Sequence, residues 1–221
     1  APPTRAALRW RRARRGPVAP RATLRRMVAA GGEPVRPEHR RRGRRPRRVV
    51  LLIDVSGSMN PYADALLRFA HVVSHRGRTD TEVFSVGTRM TRLTRAMRSR
   101  DPEAALAAVG RTVPDWAGGT RLGETLRVFL DRHGRRGMAR GATVVVFSDG
   151  WERGGTAMLA EQMAHLRRLA HAVIWVNPHA GGEGYQPVQS GIVAALPHVD
   201  VLLAGHSVAT LQKLLTEVRD A

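Results

Sequence analysis

The chain has 221 residues, enough for one well-buried domain with a tail, and carries a formal net charge of +19 without a single cysteine. The lack of cysteine excludes disulfides and thiolate metal sites and fits a reducing, cytoplasmic setting. No stretch approaches the roughly 18 apolar residues needed to span a bilayer, so no membrane role is expected.

The charge is unevenly spread. Residues 1–48 hold 17 arginines against Glu33 and Glu38, a net +15, while residues 49–221 hold 20 basic against 16 acidic residues, a net +4. Arginine at that density with few apolar residues cannot build a core, so 1–48 reads as a flexible arm or linker, mobile or ordered on a partner. Its one helical patch is Ala22–Ala30, ending at Gly31-Gly32. The remaining 49–221 reads as the folded domain. The first residue is Ala1 rather than Met, which fits a piece of a longer protein.

The domain opens with Val49–Met59, VVLLIDVSGSM. An apolar run without alternation reads as a strand buried on both faces, as in a parallel sheet covered by helices. It ends in Asp54, Ser56 and Ser58, whose oxygens can converge on one point of a tight turn, with Gly57 letting the backbone fold closely. Asn60-Pro61 then has the form of an N-cap with proline in the first turn. The helix runs to about His75 and turns at Gly77.

Thr81–Val86 and Met90–Thr94 read as strands paired antiparallel across Gly87. Pro102–Val109 is helical by composition. In VPDWAGGT, two glycines precede Thr120, and Leu122, Leu126, Phe129 and Leu130 then recur at helical spacing. Thr120 thus stands at a helix start, free to cap it or to bind a metal. Ala142–Phe147 is a second buried strand, and it ends in Ser148-Asp149-Gly150.

Met158–Ala170 is a helix, His171–Val176 a strand, Gly191–Leu196 a short helix and Val199–Ala204 the last strand. Ser207 caps a closing helix with an inward face of Val208, Leu211, Leu215 and Val218. Strands alternating with helices predict an α/β fold: a doubly wound, mainly parallel sheet with helices on both faces.

In such sheets ligands bind beyond the carboxyl ends of the strands. Asp54, Ser56, Ser58, Thr120 and Asp149 come from three separate loops and all fall on that edge. Hard oxygen donors with few carboxylates suit Mg²⁺. Ser56 and Ser58 are expected to touch it directly, Thr120 directly or through water, and Asp54 and Asp149 mainly through water. Two carboxylates leave the metal short of negative charge, so it should accept an external carboxylate from a partner protein.

Among other residues, Trp116 and Trp151 adjoin Thr120 and Asp149 and are candidate interface anchors or loop braces. Trp175 lies inside a strand and belongs to the core, and Met158 and Met163 read as core filler. His71 and His75 stand at a zinc-compatible i, i+4 spacing, but without a usual third ligand they read as a partly exposed helix face. Asn177–Pro187 reads as a glycine-rich connection, mobile and partner-facing or plain.

Asp54-Val55-Ser56-Gly57-Ser58, Thr120 and Asp149 together resemble the metal-ion-dependent adhesion site, the MIDAS, of a von Willebrand factor type A (VWA) domain. The Arg-rich lead-in ending Gly-Gly-Glu-Pro, PYADALLRFAH, VPDWAGGTRLGE, SDGWERG and WVNPHAGGEGY are further similar to the CoxE-like VWA proteins of bacteria. That resemblance implies a Mg²⁺ or Mn²⁺ site at Asp54, Ser56, Ser58, Thr120 and Asp149. It also implies work beside a MoxR-type AAA+ ATPase, as a chaperone-like factor in maturing a client metalloenzyme, in some members a molybdenum-containing carbon monoxide dehydrogenase. Members of this family usually carry more sequence before the basic arm.

The leading expectation is thus a non-enzymatic, metal-dependent protein–protein interaction module. One alternative is phosphate binding by the arm as a loose nucleic-acid contact, with salt-sensitive affinity but only Trp10 interleaved for stacking. The other, a Mg²⁺-dependent phosphotransferase, needs a second Asp two residues after the first, where this chain has Ser56. No catalytic residue is assigned, and the Val55-Ser56-Gly57 segment lacks the glycine of a nucleophile elbow.

Overall fold

The computed structural model of the chain describes residues 4–76, 80–113, 116, 118–181 and 189–220. They form two compact units, one over Thr4–Pro46 and one from Arg47 onward.

In the first unit, β1 (Thr4–Val18) pairs antiparallel with β2 (His39–Pro46), and α1 (Pro20–Ala29) lies between them in the chain. The helix is the expected patch. The two strands go beyond the sequence reading, because runs of arginine show no polar–apolar alternation from which a strand could be inferred. As composition demands, α1 buries no residue. The unit's buried side chain among those described is Glu38, whose Oε1 accepts from Arg12 at 2.7 Å and Arg26 at 2.5 Å. Hydrogen bonds from Arg26 and Arg12 hold its carboxyl below the usual glutamate range.

The second unit is a six-stranded sheet. Its elements are β3 (Val49–Asp54), α2 (Asn60–Arg76), β4 (Thr81–Val86), β5 (Thr91–Arg92), α3 (Pro102–Thr112), α4 (Leu122–Phe129), β6 (Thr143–Phe147), α5 (Thr156–Leu169), β7 (Ala172–Asn177), α6 (Ser190–Ala195), β8 (Val201–Ala204) and α7 (Val208–Asp220). The strand order is β5-β4-β3-β6-β7-β8, with only β5 antiparallel. This is the doubly wound arrangement expected from the sequence.

Residues of β3 alternate between two cores. Val49, Leu51 and Ile53 pack with Leu66 and Ala70 of α2, Val109 of α3 and Leu214 and Val218 of α7. Val50 and Leu52 pack with Leu122 and Leu126 of α4, Leu159 and Met163 of α5 and Ile192 of α6. Every residue of β3, β6 and β7 is buried, which is why their apolar runs show no alternation. Trp175 is fully buried, as expected.

Three local expectations are corrected. Asn60 has helical angles (φ −49°, ψ −43°) and follows a 3-10 turn, Gly57–Met59, so the chain enters α2 through that turn and not through an Asn60 cap. In α7, Ser207 Oγ accepts from Thr210 N–H at 3.3 Å as expected of a cap. Its inward face, however, is Leu211, Leu214 and Val218, while Val208 and Leu215 are 73% and 45% exposed. Leu214 and Leu215 lie one helical step apart, and both stripes fit helical spacing; packing against the sheet selects the first. His71 is buried rather than partly exposed, its Nε2 2.8 Å from the Ser99 carbonyl. The expected turn at Gly77 and most of the 177–187 connection lie outside the described residues.

Candidate metal centre

The strand order reverses at β3, which has β4 on one side and β6 on the other. A crevice opens at such a point because consecutive connections leave it in opposite directions. β3 delivers Asp54 to its rim and β6 delivers Ser148 and Asp149, with Ile53 paired to Phe147 in parallel register. The segment entering α4 brings Thr120.

Asp54 is fully buried and ties the three loops together. Its Oδ1 accepts the Ser56 N–H at 2.9 Å and the Thr120 hydroxyl at 2.9 Å, and its Oδ2 accepts the Ser148 hydroxyl at 2.7 Å. Ser148 in turn accepts from Gly150 N–H at 3.1 Å. Burial pushes the Asp54 carboxyl above the ordinary aspartate value, opposed by the hydrogen bonds from Ser148, Ser56 and Thr120. Thr120 thus spends its hydroxyl on Asp54 and not on capping α4, whose flanking residue is Arg121.

The serine hydroxyls of Ser56 and Ser58 lie 3.3 Å apart, the first buried and the second exposed. Asp149 is buried, and its Oδ1 accepts the Trp151 N–H at 3.1 Å. His179, just past the end of β7, joins the two loops: its Nε2 lies 3.3 Å from the Ser58 carbonyl and 3.9 Å from Asp149 Oδ2. Tyr62 of α2 meets the His179 ring edge-on at 5.0 Å. Asn177 holds this corner, accepting the His179 N–H at 2.9 Å.

The loop after Asp149 depends on Gly150, which has φ +82° and lies so close to α6 that an added Cβ would sit 2.6 Å from Ile192 Cβ. Trp151 is 64% exposed at the rim. Trp116 is half-buried, packed against the core on the α2 side. Arg153 lies across Gly119 and donates its backbone N–H to Thr120 O at 3.1 Å, which fixes the two loops to each other.

Five sequence-chosen residues therefore stand at one crevice. The donor set suits a hard divalent cation: it is all oxygen, and neighbouring ligands around Mg²⁺ at about 2.1 Å stand about 3 Å apart, close to the serine hydroxyl pair. Among the described residues no group of three His, Asp, Glu or Cys side chains forms a metal cluster. Sequence reasoning left Ser148 and His179 without a role. Both lie at carboxyl ends of buried strands, which is the signal that could have singled them out.

Against known proteins, residues 2–211 match the family model described as VWA domain containing CoxE-like protein. No curated protein matches the chain. Among solved structures, a von Willebrand factor type A protein from Catenulispora acidiphila is 19% identical with a TM-score of 0.55, over 81% of this chain and 43% of its own. Proximal thread matrix protein 1 from the mussel byssus is 16% identical with a TM-score of 0.53, over 77% of this chain and 44% of its own. A further structure of that mussel protein, with a zinc-occupied MIDAS motif, is 19% identical with a TM-score of 0.52, over 77% of this chain and 44% of its own. The chain thus spans under half the length of these proteins, and the likeness is one of fold.

Proposed function

The chain belongs to the family of CoxE-like VWA domain proteins, and on that premise we propose that it is a non-enzymatic protein–protein interaction module that works through a divalent cation. Asp54, Ser56, Ser58, Thr120 and Asp149 hold the ion, Mg²⁺ or Mn²⁺, the two serines and Thr120 by their hydroxyls and the two aspartates from behind. The observation that carries this reading is the Asp54 carboxylate, fully buried, which gathers Ser56, Thr120 and Ser148 from three loops. A buried carboxylate without a cation is costly, and a divalent ion held beside it offsets that cost. The mussel protein with a zinc-occupied MIDAS supports a divalent ion in a fold of this kind.

A bound ion supplies Lewis acidity at the rim, where it would take up a carboxylate of a partner protein. Exposed Trp151 offers apolar area beside it, while Trp116 is half-buried against the core. The partner is a MoxR-type AAA+ ATPase, together with a client metalloenzyme whose maturation the pair assists, by resemblance to other CoxE-like proteins. An ATP-consuming partner sets this work in the cytoplasm. Among the described residues, no helix is long and apolar enough to cross a membrane. We favour binding over phosphoryl transfer because the position of a second acid is occupied by Ser56, whose hydroxyl adjoins that of Ser58.

The test is co-purification of the full chain with the MoxR-type ATPase in Mg²⁺ and in EDTA, beside calorimetric titration of Mg²⁺ into wild type and Ser56→Ala. Retention of the ATPase only with the metal, and heat lost in the variant, support the proposal. Equal retention in EDTA, or equal heats, overturns it.

A further inference from the structure

We propose that the hairpin unit Thr4–Pro46 is a binding surface for single-stranded nucleic acid, with arginines on the phosphates and Trp10 stacked on a base. This inference is independent of the metal centre.

The charge comes first. The unit's 43 residues carry 15 arginines and two acids, Glu33 and Glu38. Glu38 is taken up internally by Arg12 and Arg26, which leaves the unit strongly positive toward solvent.

The hairpin then arranges those cations at a useful spacing. Trp10 pairs with Arg42, Arg11 with Arg41 and Arg12 with Arg40. Residues alternate between faces of a strand, and directly paired residues share a face. Trp10, Arg12, Arg40 and Arg42 therefore lie on one face, Arg11 and Arg41 on the other. Same-face residues recur about every 6.8 Å along each strand and paired residues stand side by side, so an extended polyanion laid along the hairpin meets cations at successive rungs of the ladder.

Two clefts lie in the same unit. One of about 680 Å³ is lined by Arg12, Arg14, Arg15 and Arg41 together with Glu38. The other, of about 480 Å³, is lined by Arg21, Arg25 and Arg40 at the start of α1. Arg40 Nε is buried there without a hydrogen-bond acceptor.

Trp10 selects among polyanions. Trp10 is 42% exposed, with the guanidinium carbons of Arg40 and Arg42 over its ring at 4.5 and 5.3 Å from the centroid. Guanidinia layered on the indole form with it a planar platform, against whose open side a base can stack. An acidic protein segment would satisfy the charges but leave the indole unused. Stacking and phosphate contact tolerate any sequence, so no base specificity is expected.

The experiment is fluorescence anisotropy of a labelled oligo(U) of about 16 nucleotides with the full chain across about 50–200 mM salt, competed by inorganic polyphosphate and by polyglutamate. With six phosphates engaged, log affinity should fall with log salt with a slope of about −4. The paired substitutions Arg40→Gln and Arg42→Gln should flatten that slope by about 1.4. Trp10→Ala should weaken oligo(U) binding about tenfold while leaving polyphosphate binding unchanged. Trp10→Phe should recover most of the loss, which separates stacking from hairpin disruption. A salt-independent affinity, tighter binding of polyglutamate than of oligo(U), or equal losses on oligo(U) and polyphosphate for both Trp10 variants overturns the proposal.

Discussion

Replacing Asp54 separates its structural work from its electrostatic work. Three donors point at this one fully buried carboxylate: Ser56 N–H, the Thr120 hydroxyl and the Ser148 hydroxyl. In Asp54→Ala all three lose their acceptor. The hydroxyls can rotate toward other oxygens, but the Ser56 amide is fixed, and a buried donor left unpaired costs about 1–3 kcal/mol. Adding a small void and imperfect rescue of the hydroxyls, we expect a loss of about 2–5 kcal/mol. The position of Asp54 at the end of a buried strand, rather than on a free loop, makes it integral to folding.

Asp54→Asn keeps an oxygen for Ser56 and Thr120, offers an N–H₂ to Ser148, and removes a buried charge. In EDTA its stability should lie within about 1 kcal/mol of wild type. Burial raises the Asp54 pKa, so the folded state of the metal-free wild type favours the protonated form. Its contribution is therefore fully present below the ordinary aspartate value and is lost as pH rises through the raised one. Asp54→Asn removes that slope. In Mg²⁺ at a hundredfold excess over the dissociation constant, wild type alone should gain about 2.7 kcal/mol. Urea unfolding followed by circular dichroism, in EDTA and in Mg²⁺, checks each point. If Asp54→Ala and Asp54→Asn unfold at the same midpoint in EDTA, the hydrogen-bond reasoning is wrong.

Other substitutions follow from the same geometry. Ser148→Ala removes the donor to Asp54 Oδ2 and the acceptor of the Gly150 N–H; it should cost about 1–3 kcal/mol of stability and weaken the ion about 10- to 100-fold, as read by urea unfolding and Mg²⁺ calorimetry. Gly150→Ala places a Cβ against Ile192 at a positive φ and should lower stability by about 1–3 kcal/mol, with a lower thermal midpoint and reduced Mg²⁺ heat; an unchanged midpoint refutes the packing argument. The Glu38 pKa is lowered by Arg26 and Arg12. The hairpin's stabilisation by this acid is present above the ordinary glutamate value and lost as pH falls through the lowered one. The Trp10 indole resonance in NMR should shift over that range, and Glu38→Gln should abolish the shift.

Much of this molecule was legible in its residues. The runs VVLLID and ATVVVF could be assigned because residues buried on both faces have no reason to alternate. The crevice residues could be chosen because a strand's end fixes where its next few side chains go. Three things lay beyond that reach. The face of α7 depends on which of Leu214 and Leu215 meets the sheet, a matter of packing rather than spacing. The entry to α2 is a 3-10 turn that Asn-Pro chemistry disguises as a cap. The strands of the hairpin unit are held by ladder hydrogen bonds and one shared carboxylate, neither of which leaves an apolar trace.

His179 gives the crevice a roof. With its imidazole set over the Ser58 carbonyl and beside Asp149, and steadied by Tyr62, the opening is narrowed from the β7 side. On the proposed reading, a partner's carboxylate approaches the serine hydroxyls alongside this imidazole, which makes His179 part of the surface that the partner meets.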